Sequence, residues 1–152
     1  MTGNVPYAIS LYGKYTGSAP GGSVYNQYLN FGGDDVLLGA PAVMVNPAGY
    51  IAAGSWGNDA VSDVSALGTG WHHIVSTYTG SGTIDLYVDG VYKGTTPFAP
   101  NLASGRLVIG SKINMVSWYF QGYIAEVKVY NRALSVSEIA SEYQRLQSMT
   151  SV

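Results

Sequence analysis

Through most of the 152-residue chain, runs of four to nine apolar and aromatic residues alternate with clusters of Gly, Pro, Asn, Asp and Ser. That is the pattern of short β-strands separated by turns. It predicts ten strands: Tyr7 to Tyr12, Val24 to Phe31, Val36 to Leu38, Ala42 to Val45, Tyr50 to Ala53, Trp71 to Thr79, Thr83 to Val88, Val91 to Gly94, Arg106 to Ile109 and Gln121 to Tyr130. The breakers between them include Ala19-Pro20-Gly21-Gly22, Gly32-Gly33-Asp34-Asp35, Asn46-Pro47-Ala48-Gly49 and Gly80-Ser81-Gly82. Short strands at this spacing point to a sandwich or a barrel.

The sharpest local signal is Thr83 to Gly94. Asp89-Gly90 supplies two residues that tolerate positive φ in a type I′ turn, and Ile84, Leu86 and Val88 alternate onto one face, so a tight hairpin is predicted. Trp71 to Tyr78 places Trp71 and Val75 on one face and Ile74 and Tyr78 on the other, which suits a central strand covered on both sides. The period changes after Leu134. Ser135-Val136-Ser137-Glu138 reads as a capping box, with Leu134 and Ile139 as its hydrophobic staple. Ile139, Tyr143 and Leu146 then form an apolar stripe, with Glu138, Glu142 and Arg145 expected to face water. One helix over about 136–147 is predicted, with 148–152 frayed, inside a single domain spanning 1–152.

Composition narrows the function. Seven Lys and Arg are too few and too scattered for the clustered phosphate contacts of a nucleic-acid binder. With no Cys there is neither a disulfide framework nor a thiolate metal site. No apolar run approaches the roughly 18 residues of a membrane span, and Met1-Thr2-Gly3-Asn4 lacks the order of a signal peptide. Of sixteen charged residues, ten fall in the first 125 positions and six between Glu126 and Arg145. The body therefore relies on Ser, Thr, Asn and Tyr hydroxyls for its polar surface.

Four ordered blocks resemble the laminin-G-like, concanavalin A-like lectin and glucanase jelly rolls: Gly70-Trp71-His72-His73-Ile74-Val75, Leu86-Tyr87-Val88-Asp89-Gly90, Leu107-Val108-Ile109-Gly110, and Phe120 through Ser135 with Glu138-Ile139. The match is carried by residues 68 to 146, with Tyr7-Ala8-Ile9-Ser10-Leu11 in the place of the opening strand. The resemblance implies an all-β fold, a two-sheet antiparallel jelly-roll sandwich with one short C-terminal helix. It also implies a non-catalytic module for glycans or protein partners, in some members with Ca²⁺. Where the family commonly has Asp-Glu, this chain has Ala125-Glu126.

Catalytic constellations are poorly represented. Glycoside cleavage needs two carboxyl groups across the scissile bond. Glu126 is the one acid on its strand, while Asp89, which shares a side with Asp85, is committed to a turn. There is no Gly-x-Ser-x-Gly elbow. His72 and His73 point to opposite faces of a strand and cannot share a metal. Neither Gly68-Thr69-Gly70 nor Gly80-Ser81-Gly82 leads into a helix, as a phosphate loop would.

Recognition of sugars fits better, because flat apolar sugar faces edged by hydroxyls call for an exposed Trp or Tyr beside amides and carboxylates. Two segments have this makeup and are expected to be loops: Trp56 with Asn58 and Asp59, and Asn114 with Trp118 and Tyr119. No cofactor is required. For Ca²⁺ the candidate oxygen ligands are Asp34-Asp35 and Asn58-Asp59 with Asp63, foremost Asp59 and Asp63, though the spacing is not that of a Ca²⁺ loop. The sequence thus predicts a glycan-binding module, the extracellular part of a larger protein. The alternative is a phage or virus capsid-decoration or tail protein, since few Lys or Pro guard the strand edges and neighbouring subunits, in a homo-oligomer or a particle, would cover them.

Overall fold

The computed structural model describes residues 3–32, 40–55, 58–98, 101–102, 106–112 and 117–150. Ten strands and one helix are present among them: β1 (Tyr7–Tyr15), β2 (Asn26–Gly32), β3 (Ala42–Val45), β4 (Tyr50–Ser55), β5 (Asn58–Ser65), β6 (His72–Tyr78), β7 (Thr83–Val88), β8 (Val91–Pro97), β9 (Arg106–Ile109), β10 (Gly122–Tyr130) and α1 (Val136–Thr150). All the pairings are antiparallel. One five-stranded sheet has the order β10-β1-β6-β7-β8, the other β5-β4-β3-β2-β9. This is the two-sheet jelly-roll sandwich.

Alternation builds the core. Ile9 and Leu11 of β1, Ile74 and Tyr78 of β6, and Ile84, Leu86 and Val88 of β7 meet Leu29, Val43, Val45 and Ile51 from the facing sheet, all fully buried. Each such side chain contributes about 1.5–3 kcal/mol of burial. Tyr7 sits at the centre, edge-on to Phe31 at 5.2 Å and beside Tyr78 at 5.7 Å. The predicted hairpin is present, with Asp89 at φ 54° and Gly90 at φ 77°.

One expectation about the strands is corrected. The segment from Asn58 is not a loop: it opens β5, which pairs with β4 through Ser55↔Asn58 and Gly54↔Asp59. Its inward residues, Ala60 and Ser62, are small, so the strand carries little hydrophobic signal, and Ser62 is anchored by donating to the Ile51 carbonyl at 2.8 Å. The predicted strand Val36 to Leu38 lies outside the described residues.

At α1 the capping box forms as predicted: Glu138 N–H donates to Ser135 Oγ at 3.3 Å, and Ser135 N–H to the Glu138 carboxylate at 2.8 Å. The helix continues to Thr150 rather than fraying at Ser148, whose hydroxyl donates to the Arg145 carbonyl at 2.6 Å. Leu134 and Ile139 seat α1 on Ala8, Val75 and Tyr87 of the first sheet. Glu142 does not face water. It turns toward the sheet, where it accepts from Ser10 Oγ at 3.2 Å and from Lys128. Having spent its proton on Glu142, Ser10 accepts from His73 Nε2 at 3.0 Å, which leaves the buried His73 Nδ1 without a partner. His72, on the other side of β6, bonds the turn carboxylate of Asp89 at 2.7 Å.

Candidate functional site

With α1 covering part of one sheet, the outer face of the other sheet becomes the place to look. The registers align two rows across it. One runs Asp59, Gly54, Ala42, Asn30 and Val108 over β5-β4-β3-β2-β9; the next runs Val61, Ala52, Met44 and Gln27. Small residues in the middle, with a carboxylate at one end and an amide at the other, form a trough whose floor, Ala42, Met44, Ala52, Gln27 and Asn30, is buried. Three strand spacings separate Asp59 from Asn30, about 14 Å. Gly54 matters to this shape, because a Cβ there would fall 2.2 Å from the Asn58 carbonyl oxygen and 2.8 Å from Asp59 Cα.

The polar side chains of the floor are ordered by one another. Asn30 Nδ2 donates to Gln27 Oε1 at 3.1 Å, while Asn30 Oδ1 is buried without a partner. Asp59 Oδ1 is in the same position. Burial pushes the Asp59 carboxyl above the ordinary carboxylate range, an effect partly offset by a hydrogen bond from the Tyr25 hydroxyl. The Tyr25 phenol is pushed up in turn, first by burial and then by the Asp59 charge.

Tyr25 also packs on Ala42, Met44 and Ala52, and its ring meets that of Trp118 at 5.4 Å and 49°. Trp118 is delivered by the segment between β9 and β10, fastened by Lys112 N–H to the Ser117 carbonyl at 3.1 Å and Phe120 N–H to the Gly110 carbonyl at 2.7 Å. Its own carbonyl accepts from Gln27 N–H at 3.1 Å, which ties it to the trough floor. Trp118 has φ 56°, a backbone conformation that costs a bulky residue of order 1–3 kcal/mol and that persists only when its surroundings hold it. The Lys112 ammonium lies 5.0 Å from the centre of its ring.

The structure thus joins Asp59 to Trp118 through Tyr25, a residue the sequence reading passed over as strand-forming. Gln27 and Asn30 were missed too. Their signal was available: amides at the off-core positions of an otherwise apolar strand. Tyr119 is well exposed and Asn58 stands exposed at the start of β5. Trp56 and Asn114 lie outside the described residues, as do Asp34 and Asp35. Asp59 and Asp63 are separated by four residues of strand, about 13 Å, and Asp63 is bridged to Lys93 at 2.7 Å. No helix among the described residues is long and apolar enough to cross a membrane.

The arrangement offers flat aromatic surface, a cation, and acceptor oxygens short of donors, which is equipment for binding. Among the described acids, Glu126 is bridged to Arg145 at 2.8 Å and Asp89 accepts from the His73 N–H at 2.9 Å.

A protein-family model described as the concanavalin A-like lectin/glucanases superfamily matches residues 2–140. No curated protein sequence matches the chain. Among solved structures, a CBM40 domain of a Ruminococcus gnavus IT-sialidase, bound to α2,3-sialyllactose, is similar with a TM-score of 0.67 at 15% identity, covering 93% of this chain and 84% of that one. A heptameric SAP-like pentraxin from Limulus polyphemus is similar at TM-score 0.63 and 16% identity, covering 94% and 71%. Domain 4 of an extracellular GH43 arabinanase from Geobacillus stearothermophilus, in complex with arabinotriose, is similar at TM-score 0.58 and 20% identity, covering 93% and 67%.

Proposed function

Since the chain belongs to the concanavalin A-like lectin/glucanases superfamily, we propose that it is a non-catalytic glycan-binding domain whose site is the outer face of the β5-β4-β3-β2-β9 sheet. The observation that carries this reading is the linked set of Trp118, Tyr25 and Asp59, an aromatic wall beside a carboxylate oxygen that lacks a donor. A sugar supplies what is missing: hydroxyl donors for Asp59, and an apolar C–H face for the Trp118 and Tyr25 rings. Lys112 borders the same wall, and Tyr119, Trp56, Asn58 and Asn114 are the further residues proposed for binding. Two of the similar structures carry a saccharide, which supports the class of ligand. A role as a virion component draws no support from these relatives. No Ca²⁺ is assigned a part in binding.

The test is a glycan array probed with the parent chain, Trp118→Ala and Asp59→Asn. Loss of the parent's hits among uncharged glycans in both variants, with unchanged circular dichroism, is the expected result. Retention of the same hits in both would overturn the site.

A further inference from the structure

The outer face of the first sheet is only partly occupied by α1, whose Tyr143 ring faces His73 at 6.3 Å. Past that contact three aromatic rings cross three strands. Tyr12 of β1 stacks on Trp71 at 5.1 Å and 20°, and Trp71, just before β6, meets Tyr123 of β10 at 6.2 Å and 41°. Tyr12 is buried beneath this contact, Trp71 is half-buried, and Tyr123 is 61% exposed. Lys14 follows Tyr12 by two residues, so it shares the same face, and its cross-strand partner is Tyr123. Lys93, Lys128, Arg132 and Arg145 each bridge a carboxylate. Among the described residues no hydrogen bond or ion pair of the Lys14 ammonium is found, beside those of the other cations.

We propose that this strip is a second binding site, on the side of the molecule away from Trp118, and that it takes an acidic saccharide. A pyranose would lay its C–H face on Trp71 and Tyr123, and its carboxylate would meet the Lys14 ammonium. Aromatic faces are electron-rich and attract the polarised C–H groups of a sugar. The lone unpaired cation in their row adds charge complementarity that a neutral sugar would leave unused. A second copy of the chain fits less well: a two-fold interface sets a patch against itself, and Lys14 would then face Lys14. A single cation is also too little to hold an anionic membrane surface.

The chain has three Trp residues, so its three indole N–H signals, assigned by Trp→Phe variants, report where a ligand lands. The intact chain is titrated with an oligogalacturonate, a hyaluronan oligosaccharide and sialyllactose, and with the methyl ester of whichever binds. An acidic glycan is expected to shift the Trp71 indole and leave that of Trp118 in place. Tyr123→Ala should weaken that binding about tenfold, and Lys14→Gln or methyl esterification about threefold. Trp118→Ala should leave it unchanged, which separates this site from the one proposed above. Melting midpoints equal to the parent's establish that the variants fold. The proposal is overturned if none of the three glycans moves the Trp71 signal, if Lys14→Gln and Tyr123→Ala both bind like the parent, or if Trp118→Ala abolishes the shift.

Discussion

Tyr25 touches both halves of the trough: its ring lies 5.4 Å from that of Trp118, and its hydroxyl lies beside the Asp59 carboxylate, close enough to perturb it. The ring and the hydroxyl should therefore be separable by mutation. Tyr25→Ala removes the support behind Trp118 and is expected to weaken glycan binding about tenfold, the scale of one aromatic contact. Tyr25→Phe keeps that support and should cost less, about threefold. Titration calorimetry of the two variants against the same glycan measures the difference, and equal losses would show that the ring contact is not what positions Trp118.

Asp59 sets stability against binding. Burial raises its carboxyl pKa above the ordinary 3.8, so over the interval between these values the folded chain holds a proton that the unfolded chain has released. Stability then falls as pH rises through that interval and stays lower above it. Asp59→Asn removes this cost and is expected to raise Tm at neutral pH by a few degrees, roughly, while reducing glycan binding. A thermal melt that shows no gain would mean that burial is not the dominant influence on this carboxyl.

The helix terminus responds at lower pH and with the opposite sign. The Arg132 guanidinium, followed by the Ser135 backbone and hydroxyl, lowers the Glu138 carboxyl from 4.5 to about 2. Its stabilising contribution is complete above about 4.5 and is lost as pH falls toward 2. Helical ellipticity should decline across that window in the parent chain and less steeply in Glu138→Gln. Ser135→Ala, which removes the hydroxyl half of the cap, is expected to cost about 1 kcal/mol in denaturant unfolding.

Beneath the same helix, His73 makes the fold sensitive to mild acid. Burial lowers its pKa from 6.5; the Glu142 and Asp89 charges oppose that shift, and Lys128 and Arg145 reinforce it. Below 6.5 the unfolded chain takes up a proton that the folded chain resists, so stability drops as pH falls through the window between the two pKa values. His73→Gln keeps a donor for Ser10 and carries no titrating ring. Its Tm should change less between pH 7 and pH 5 than the parent's, and an equal decline would move the acid sensitivity elsewhere.

What was legible in the sequence was whatever local physics over-determines. Asp89-Gly90 admits hardly anything but a hairpin, and Ser135 with Glu138 hardly anything but a helix start. β5 was missed because Ala60 and Ser62 bury too little to register as a hydrophobic alternation; the strand is held by its neighbour β4 and by the Ser62 bond to Ile51. Glu142 was assigned to water because helical periodicity counts it as polar, whereas Ser10 and Lys128 on the sheet beneath give it partners. The site was half visible. Asp59 and Trp118 carry recognisable chemistry, but the residue that links them reads as one more β-forming tyrosine. Its role comes from a contact between segments 93 positions apart, which no local pattern encodes.

The placement of β1 has a kinetic consequence. This first strand lies between β6 and β10, whose residues begin at 72 and 122. Within this domain β1 is made before either neighbour: β6 follows only from residue 72 and β10 only from residue 122. Pairings of such sequence separation are slow, in the millisecond-to-second range typical of β-sandwiches. Until β6 has been made Ile9 and Leu11 wait unpaired, so β1 is where the nascent domain is open to aggregation and in need of a chaperone.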